Sequence, residues 1–164
     1  MQNDMIKVKE EMQNDMIKVK IVKLSADVDL PARGSDGAGC YDVKAYIAEG
    51  TRRYGITMCP GDSHIFNTGL RFEIPAGYTM MAYSRSGHGF KNDVCLTNSV
   101  GIIDNDYRGE MMCKLINHSD ELFVVRHGDK ICQIRLERNI DMYFAIVESL
   151  GNTCRGTRGF GSTG

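Results

Sequence analysis

The sequence predicts a single all-β domain, and three observations support this fold class. Several short segments alternate apolar and polar side chains, as in "CYDVKAYI" and "KICQIRLE". Turn residues separate these segments at near-regular spacing, in "CPGD", "IPAGY", "IDNDY", "NHSDE" and "HGDK". No segment has a long amphipathic helical face, and only "SGHGFKND" is compatible with a short helical turn. Together these patterns predict a β-barrel or β-sandwich.

The alternation assigns side chains to the two faces of each predicted strand. In the first segment the residues of one face are Tyr41, Val43, Ala45 and Ile47, and those of the other are Asp42, Lys44 and Tyr46. In the second segment Cys132, Ile134 and Leu136 alternate with Gln133, Arg135 and Glu137. The segments "TMMAYSR", "VCLTNSVGII", "EMMCKLIN" and "ELFVVRH" also have strand character. A sheet built from such strands has edges that closure or oligomerisation must cover.

Composition narrows the class of protein. The chain has 164 residues, of which 42% are hydrophobic and 25% charged, as expected for one globular domain. A net charge of −1 argues against a non-specific nucleic-acid binder. The sequence has no apolar run of membrane-spanning length and no apolar region typical of a secretion signal at its start.

The six cysteines are widely scattered and include no CxxC pair, which makes a zinc site a weak interpretation. Without an export signal, a disulfide framework is also disfavoured. The cysteines are Cys40, Cys59, Cys95, Cys113, Cys132 and Cys154. We therefore expect reduced, mostly buried thiols and a cytoplasmic location.

The start of the chain contains a repeat: "MQNDMIKVK" occurs at residues 1–9 and again at 12–20. A doublet of this length is too short for a repeat fold, and a duplicated gene start or an artificially added extension is the preferred explanation. We predict a mobile extension over residues 1–11, a β-barrel domain over 12–150 and a flexible glycine-rich arm over 151–164.

The segment "NSVGIIDNDYRGEMM" is the first candidate for chemistry. Apolar runs flank Asn105 and Asp106, two residue types that tolerate left-handed backbone angles, so we predict a tight hairpin turn. This hairpin would place the Asp104 carboxylate and the Tyr107 ring across from each other at its mouth. On local pattern alone, the commoner interpretation is that Asp104 bonds turn amides and Tyr107 covers a strand edge.

A second segment, "AYSRSGHGF", combines a cation, hydroxyl groups and glycine backbone at a predicted strand end. The Arg85 guanidinium and the groups around Ser86 and Gly87 suit a phosphate. A solvated polar loop is the commoner alternative. Asp42 and Gln133 lie on polar strand faces, where a polar side chain by itself indicates no function.

The last ten residues, "RGTRGFGSTG", have neither strand alternation nor a helical face. Arg155 and Arg158 supply positive charge, and Phe160 supplies a flat ring whose stacking on a base is worth roughly 1–3 kcal/mol. A nucleoside triphosphate combines a flat base with a highly charged chain, which this tail could hold. The alternative is an unstructured chain end.

Taken in order, these segments resemble the five motifs of the trimeric dUTPase family. "AGCYDVKA" is similar to the first motif, "SRSG" to the second, "GIIDNDYRGE" to the third, "GDKICQI" to the fourth and "RGTRGFGSTG" to the fifth. The resemblance extends from about Lys18 to Gly164. Any one motif is weak evidence, whereas five in order at suitable separations are highly specific.

The resemblance implies a jelly-roll-like β-barrel that forms a homotrimer with active sites shared between subunits. It implies hydrolysis of dUTP to dUMP and pyrophosphate, which keeps uracil out of DNA and supplies dUMP for dTMP synthesis. Mg²⁺ would be the cofactor, held through phosphates and water rather than directly by the protein. The expected location is the cytoplasm, or the host cytoplasm for a viral enzyme. The expected partners exclude nucleic acid and membrane, and an additional protein partner is compatible with this interpretation.

The resemblance also implies a role for each matching residue. Asp104 would be the general base that activates the attacking water, and Asp42 would support the metal waters or the scaffold. Tyr107 would pack on the deoxyribose and reject a 2′-hydroxyl. Asn98 and the backbone around Met112 would read the uracil edge, with Ile102 and Ile103 alongside. The phosphates would be held by Arg85, Ser86, Gly87 and Gln133 of another subunit. The tail would close through Arg155 on the γ-phosphate, Phe160 on the uracil, and Gly161, Ser162 and Thr163 on the phosphates.

Three departures from the family pattern have physical consequences. Cys40 and Tyr41 both stand between the glycine and Asp42, where one residue is usual. Ser84 replaces a frequent proline, which should alter loop stiffness more than chemistry. Arg158 replaces a frequent glycine, so we expect it to tune closure of the tail.

Two other functions are compatible with parts of this pattern. One is a dCTP deaminase or a bifunctional relative, which would share the barrel and the arginine-serine loop. The other is a non-catalytic regulatory protein that retains the nucleotide pocket. The tail and the Asp104–Tyr107 segment favour the diphosphatase.

Overall fold

Two antiparallel β-sheets face each other and enclose the apolar core of the protein. The computed structural model describes residues 16–159. The strands are β1 (Lys20–Lys23), β2 (Ala32–Arg33), β3 (Tyr41–Lys44), β4 (Ile56–Met58), β5 (Ser63–Glu73), β6 (Tyr78–Tyr83), β7 (Val94–Leu96), β8 (Val100–Ile103), β9 (Glu110–Asn117), β10 (Phe123–Val125) and β11 (Lys130–Arg138).

The strand order within each sheet differs from the order along the chain. One sheet has the order β1-β5-β9-β7, and the other has the order β2-β3-β11-β6-β8. Strands β4 and β10 form a separate two-stranded ribbon. Because neighbouring strands come from distant parts of the sequence, motifs that are far apart in the chain can meet on one sheet face.

Helical structure over residues 16–159 is limited to two short elements. Helix α1 (Ser86–Asn92) follows β6 and ends at Asp93, whose φ of 50° lies in the left-handed region. A single 3-10 turn covers Glu49–Thr51. The prediction of an all-β fold with one short helical turn is therefore confirmed. In the same described range, no helix has the length and apolar character needed to cross a membrane.

The predicted strand alternation accounts for much of the core. Val43 and Ala45 are buried on the inner face of the second sheet, and Cys132 and Ile134 lie beside them on β11. The pairing of β11 with β3 shifts register between Lys130 and Cys132, so Ile131 is buried as well. The alternation predicted for this strand therefore holds only beyond the bulge.

A second irregularity lies in β5, where the register with β9 shifts between Asn67 and Arg71. Gly69 adopts a φ of +69°, and a Cβ at this position would lie 2.3 Å from a methyl group of Val28. Only glycine satisfies both the backbone angle and the close approach. The buried Thr68 hydroxyl donates a 2.7 Å hydrogen bond to the carbonyl of Met111 and so ties the bulge to β9.

The structure defines two strand boundaries that the sequence pattern left open. The segment "VCLTNSVGII" forms two strands, β7 and β8, because the chain turns at Ser99 with a φ of 61°. The last strand ends at Arg138, and residues 139–159 contain no helix or strand. The predicted domain boundary at residue 150 stays a prediction. The predicted extension over residues 1–11 lies outside the described residues.

The segment after Arg138 is unusually apolar for an exposed chain. Large hydrophobic side chains over residues 140–150 are largely accessible to solvent. These residues are Ile140, Met142, Tyr143, Phe144, Ile146, Val147 and Leu150. A contiguous apolar surface of this kind is typical of a contact that a single chain does not complete.

Candidate active site

A polar cluster lies where β3, β11 and the end of β6 meet on the outer face of the second sheet. Asp42 on β3 pairs directly with Gln133 on β11, and Gln133 pairs with Tyr83 on β6. Directly opposed residues on antiparallel strands project from the same face. The sheet thus brings the first, second and fourth sequence motifs together.

Asp42 is the anionic centre of this cluster. Its Oδ2 lies 2.7 Å from Lys130 Nζ, and its Oδ1 lies 3.4 Å from Arg85 Nε. The Asp42 side chain is only 16% exposed, so these two cations offset much of the cost of its desolvation. The extra residue before Asp42 has therefore not displaced the carboxylate from the cluster.

Arg85 is held on several sides but keeps free hydrogen-bonding capacity. Its Nη1 lies 3.1 Å from Nε2 of His88 and donates a 3.4 Å bond to the carbonyl of Lys130. Among the described residues, Nη2 has no hydrogen-bond partner. A guanidinium with one open edge and a side-chain exposure of 26% suits a phosphate.

Gln133 and Ser84 connect the cluster to the neighbouring strands. Gln133 Nε2 donates a 3.1 Å bond to the carbonyl of Ser84, and Ser84 Oγ accepts a 2.9 Å bond from the amide of Leu96. Ser84 therefore ties the end of β6 to β7, which a proline at this position would not do. Ser86 and Gly87 follow directly as the first two residues of α1.

An open cleft of ≈ 560 Å³ lies beside the cluster. Its lining includes the cationic side chains of Arg85, Lys130 and Lys44, together with His88 and Asp129. Three positive charges against one negative charge make this cleft suitable for an anionic ligand.

The third motif contains a turn, but the prediction of a hairpin is wrong. The amide of Tyr107 donates a 3.2 Å bond to the carbonyl of Asp104, which closes a four-residue turn. Strand β8 pairs with β6, whereas β9 pairs with β5 and β7, so the turn joins two different sheets. Neither Asn105 nor Asp106 has a positive φ, unlike the central residues of a two-residue hairpin turn.

Tyr107 folds back over this turn. Its hydroxyl donates a 2.9 Å bond to the carbonyl of Glu110, and a Cβ on Gly109 would lie 2.3 Å from the hydroxyl oxygen. Glycine at position 109 therefore allows the ring to approach the backbone. The Glu110 carboxylate accepts a 2.7 Å bond from the amide of Gly69, which anchors the start of β9 to the β5 bulge.

The residues expected around the uracil follow the same segment. Ile102 is 65% exposed, whereas Ile103 packs against the core, so the two side chains lie on opposite faces of β8. Met112 is 53% exposed on the outer face of β9, and Asn98 is exposed after β7. A Cβ on Gly101 would lie 3.4 Å from Asn98 Nδ2, which places this amide over the start of β8.

Asp104 and Arg85 lie beyond opposite ends of the β6–β8 pair. The paired residues run from Met80 with Ile103 to Tyr83 with Val100. Asp104 follows Ile103 at one end of the pair, and Arg85 lies two residues after Tyr83 at the other end. Because three residue steps along a strand span about 10 Å, the two ends are separated by at least that distance.

The two arginines of the tail bond to each other's backbone. Arg155 Nε donates a 2.8 Å bond to the carbonyl of Arg158, and Arg158 Nε donates a 3.2 Å bond back to the carbonyl of Arg155. Both side chains are thus occupied within their own turn. Phe160, Gly161, Ser162 and Thr163 lie outside the described residues.

Sequence reasoning assigned no role to three residues that organise the candidate site. They are Lys130, which pairs with Asp42; His88, which contacts Arg85; and Glu110, which anchors the turn. All three belong to segments noted in the sequence. Lys130 and Glu110 contact residues on other strands, whereas His88 contacts the residue that precedes its own helix. Composition and spacing contain no signal for the contacts of Lys130 and Glu110, whose partners are far away in the chain. The three-residue spacing of Arg85 and His88 in a predicted helical turn is a signal that could have indicated their contact.

The donor atoms of the described chain do not form a metal cage. Over residues 16–159, no three His, Cys, Asp or Glu side chains converge in a way that could hold an ion. The cations of the cluster instead suit a polyphosphate, whose own oxygens are preferred ligands of Mg²⁺. The donor set therefore fits an ion that arrives with the phosphates.

Comparisons with known proteins identify the family of this chain. The dUTPase family model matches residues 26–164. A deoxyuridine 5'-triphosphate nucleotidohydrolase from Rhizobium rhizogenes is 40% identical over 137 residues, covering 84% of this chain and 86% of the relative. A nucleotidohydrolase of the same description from Nautilia profundicola is 37% identical over 145 residues, covering 88% of this chain and 97% of its own length.

Solved structures support the fold. A mutant dUTPase of Staphylococcus bacteriophage 80alpha, solved with dUpNHpp, has a TM-score of 0.75 at 20% identity and covers 91% of this chain and 99% of its own. A mutant dUTPase of the S. aureus phage phi11, described with a structural Mg(II) ion, has a TM-score of 0.67 at 19% identity and covers 81% and 98% of the two chains. At these identities the likeness concerns the jelly-roll fold alone.

The family match covers most of the chain, and both of the relatives above exceed a third in identity over more than four fifths of it. The chain therefore belongs to the dUTPase family, and its reaction is the hydrolysis of dUTP to dUMP.

Proposed function

We propose that this chain hydrolyses dUTP in a homotrimer whose active sites combine Asp104 of one subunit with the Arg85 cluster of another. The observation that carries the proposal is the placement of Asp104 and Arg85 beyond opposite ends of the β6–β8 pair. A base that acts at the α-phosphorus and a guanidinium that holds the same triphosphate must lie within a few ångströms of one ligand. A second subunit can supply the missing half.

The exposed apolar segment over residues 140–150 supports this assembly. Side chains such as Phe144 and Ile146 are 85% and 101% exposed, respectively, which is costly for a free chain in water. Burial against neighbouring subunits removes this surface from solvent. We infer that the same contact delivers the chain after residue 150 to the site of a neighbouring subunit.

Asp104 is well placed to act as the general base. It is exposed, and its side chain has no hydrogen-bond or ion-pair partner among residues 16–159, so its oxygens are free to bind a water molecule. The carboxylate accepts a proton from this water as the water oxygen bonds to the α-phosphorus. The bond from the α-phosphorus to the bridging oxygen breaks, and pyrophosphate leaves with the electron pair.

The cationic cluster binds the leaving phosphates. Arg85 offers its open Nη2 edge, and Gln133 lies beside it with its amide fixed by the carbonyl of Ser84. Lys130 neutralises Asp42, which keeps the carboxylate from repelling the phosphates. Preorganised cations of this kind stabilise the charge that develops on pyrophosphate. Ser86 and Gly87 supply backbone beside Arg85.

Tyr107 provides selectivity for deoxyribose. Its hydroxyl is already bonded to the carbonyl of Glu110, so the ring is held in one orientation against Gly109. A fixed aromatic face packs on the sugar and leaves no room for a 2′-hydroxyl. Asn98, Met112 and the exposed Ile102 line the neighbouring surface for the uracil, with Ile103 supporting it from the core.

Mg²⁺ fits the donor set through the phosphates of the substrate. When bound, the ion neutralises phosphate charge and favours departure of pyrophosphate. Asp42 supports this arrangement indirectly, by holding Lys130 and Arg85, because these two cations already occupy its two oxygens. Removal of Mg²⁺ with a chelator is expected to abolish turnover, and excess Mg²⁺ is expected to restore it.

The tail completes the site when nucleotide binds. Arg155 must leave its contact with the carbonyl of Arg158 before it can reach the γ-phosphate. In this proposal Phe160 then stacks on the uracil, and Gly161, Ser162 and Thr163 close on the phosphates. We place the reaction in the cytoplasm, which agrees with six free cysteines.

A complementation experiment tests the shared site. The variants Asp104→Asn and Arg85→Ala are each expected to be nearly inactive as homotrimers. If the residues act across subunits, unfolding and refolding the two variants together creates some sites with both native residues, and activity returns to about a quarter of the wild-type level. If both residues act within one chain, the mixture remains inactive and the proposal is wrong.

Two measurements accompany this experiment. Light scattering must report a trimer for the wild type and for each variant. A nucleotide panel with Mg²⁺ must release pyrophosphate from dUTP but not from UTP or dCTP, and a deaminase would instead release ammonia from dCTP. A protein that binds dUTP without releasing pyrophosphate would have a regulatory role.

A further inference from the structure

His88 occupies a position in the cleft that the reaction described above does not use. It lies in α1, three residues after Arg85, and its ring packs edge-on against Phe123 of β10 at a centroid distance of 5.3 Å. Its Nε2 lies 3.1 Å from Arg85 Nη1. Its Nδ1 is buried and has no hydrogen-bond partner among the described residues.

The contact with Arg85 determines the proton position on the ring. A guanidinium nitrogen can only donate, so Nε2 of His88 must accept, and the proton of the neutral ring lies on Nδ1. That Nδ1–H is then a buried donor without a partner in the described chain, an arrangement that costs free energy. The ring keeps its contact with Arg85 although its Nδ1–H stays unpaired. This cost indicates that the contact has a function.

A neutral acceptor has an advantage over a carboxylate at this position. Asp42 already contacts Nε of Arg85 at 3.4 Å, and a second carboxylate would compete with an incoming phosphate for the guanidinium. The imidazole instead binds Nη1 without adding negative charge. Nη2 is left as the open edge of Arg85.

We propose that His88 is a positioning residue that orients Arg85 towards the substrate phosphates through its neutral Nε2. The proposal rests on the assignment of Arg85 to phosphate binding. In this role His88 acts through Arg85 rather than on the reacting atoms.

The surroundings of His88 favour the neutral ring. Burial is the main cause that lowers the pKa of His88 below its ordinary value, and the charge of Arg85 lowers it further. Asp129 acts in the opposite direction, and Lys130 and Lys44 also face the cleft. The ring is thus neutral at neutral pH. As pH falls through the lowered pKa, protonation removes the acceptor and places a positive charge beside Arg85.

Two substitutions separate the acceptor from the shape of the ring. His88→Leu keeps apolar contact with Phe123 but cannot accept a hydrogen bond, and we expect kcat/KM for dUTP to fall about tenfold. His88→Gln retains an acceptor near the position of Nε2 and is expected to lose about threefold or less, by the same hydrogen-bond reasoning. The matched control is His118→Gln, since His118 is exposed and lies outside the cleft.

The pH profile provides a readout that a purely structural role would not change. In the wild type and in His118→Gln, kcat/KM should fall on acidification below the ordinary histidine pKa of about 6.5. In His88→Gln this component of the acid decline should disappear, because the amide does not titrate. An acid decline identical in all three proteins would overturn the proposal.

A double-mutant cycle tests whether His88 acts through Arg85. His88→Leu should have no further effect in an Arg85→Ala background, because the group that it positions is gone. Independent, multiplicative losses would overturn the proposal. If Arg85→Ala alone leaves kcat/KM unchanged, then the phosphate assignment of Arg85 fails, which is a distinct result.

Folding is checked separately for each variant. Thermal unfolding and light scattering should report the wild-type fold and oligomer for His88→Leu and His88→Gln. If His88→Leu is destabilised, the pH profiles of His88→Gln and His118→Gln still test the proposal.

Discussion

The two halves of the candidate site are built in opposite ways. The Asp42–Arg85 cluster is bonded across three strands and a helix start, and most of its polar atoms already have partners. The Asp104–Tyr107 turn is exposed, and its described hydrogen bonds remain within residues 104–110. The first half is preorganised for charge, whereas the second leaves its carboxylate free for water.

This difference separates stability from catalysis. A substitution in the cluster removes interactions that the folded chain makes, so it should affect both stability and activity. A substitution of Asp104 removes nothing that the described chain uses, so it should affect activity alone. Substitutions in each half therefore test this contrast.

Asp104→Asn should lower kcat for dUTP by about 10²–10⁴-fold, because the amide cannot accept the proton of the attacking water. The melting temperature and the trimer should be unchanged. Pyrophosphate release and thermal unfolding measure the two properties. Asp106→Asn, an exposed change in the same turn, is the control and should retain activity. A large loss of stability in Asp104→Asn would contradict the contrast.

Deletion of Arg155–Gly164 should lower dUTP turnover about 100-fold, because closure over the phosphates is lost. The described contacts of Arg155 and Arg158 lie within the tail, so the fold and the trimer should remain intact. Activity assays with light scattering and circular dichroism measure the outcome. Full activity of the shortened protein would refute a role for the tail.

Asp42→Asn should lower both activity and stability. Its partners Lys130 and Arg85 lose a charged acceptor, and we expect a loss of about 1–2 kcal/mol in the free energy of unfolding. Chemical denaturation measures this loss, and kcat/KM should fall about tenfold as Arg85 is less well held. Asp36→Asn, at an exposed position, should change neither property. If the Asp42→Asn protein has wild-type stability, the cluster does not contribute to stability as stated.

Tyr107→Ala should narrow the preference for dUTP over UTP about tenfold, because the rigid surface that rejects the 2′-hydroxyl is removed. Tyr107→Phe keeps the ring but loses the bond to the carbonyl of Glu110, so it should retain most of the selectivity. The ratio of kcat/KM values for the two nucleotides is the measurement. An unchanged ratio in the alanine variant would refute the sugar assignment.

Arg158→Gly should have the smallest effect. It removes the side chain that holds the turn around Arg155, so Arg155 is released more easily and KM for dUTP should fall about threefold. Steady-state kinetics provide the measurement, with Arg158→Lys as a control that retains the charge. If affinity and turnover are both unchanged, Arg158 does not tune closure.

Much of the fold could be predicted from local pattern. The alternation around Val43 and Ile134 identified buried faces correctly, and the strand Glu110–Asn117 coincides with a segment named from sequence. The hairpin failed for a non-local reason. Apolar residues on both sides of Asn105 and Asp106 indicate two strands, but they contain no information on which strands pair.

The same limit applies to the site. Motif order indicated Asp42, Arg85 and Gln133 separately, and the sheet order β3-β11-β6 brought them together. Lys130 and His88 were missed because their function depends on a partner side chain rather than on their own type. Ser84, a departure from the family pattern, is explained only by its bond to the amide of Leu96.

The sequence by itself determined the all-β class, the family and the chemical groups that the site contains, because strand alternation and motif order are properties of neighbouring residues. Only the tertiary structure decided that Asp104 and Arg85 lie beyond opposite ends of one strand pair. It likewise placed Lys130 against Asp42 and the ring of His88 against Phe123. Strand pairing and side-chain contacts depend on packing between residues far apart in the chain, and local sequence does not specify them.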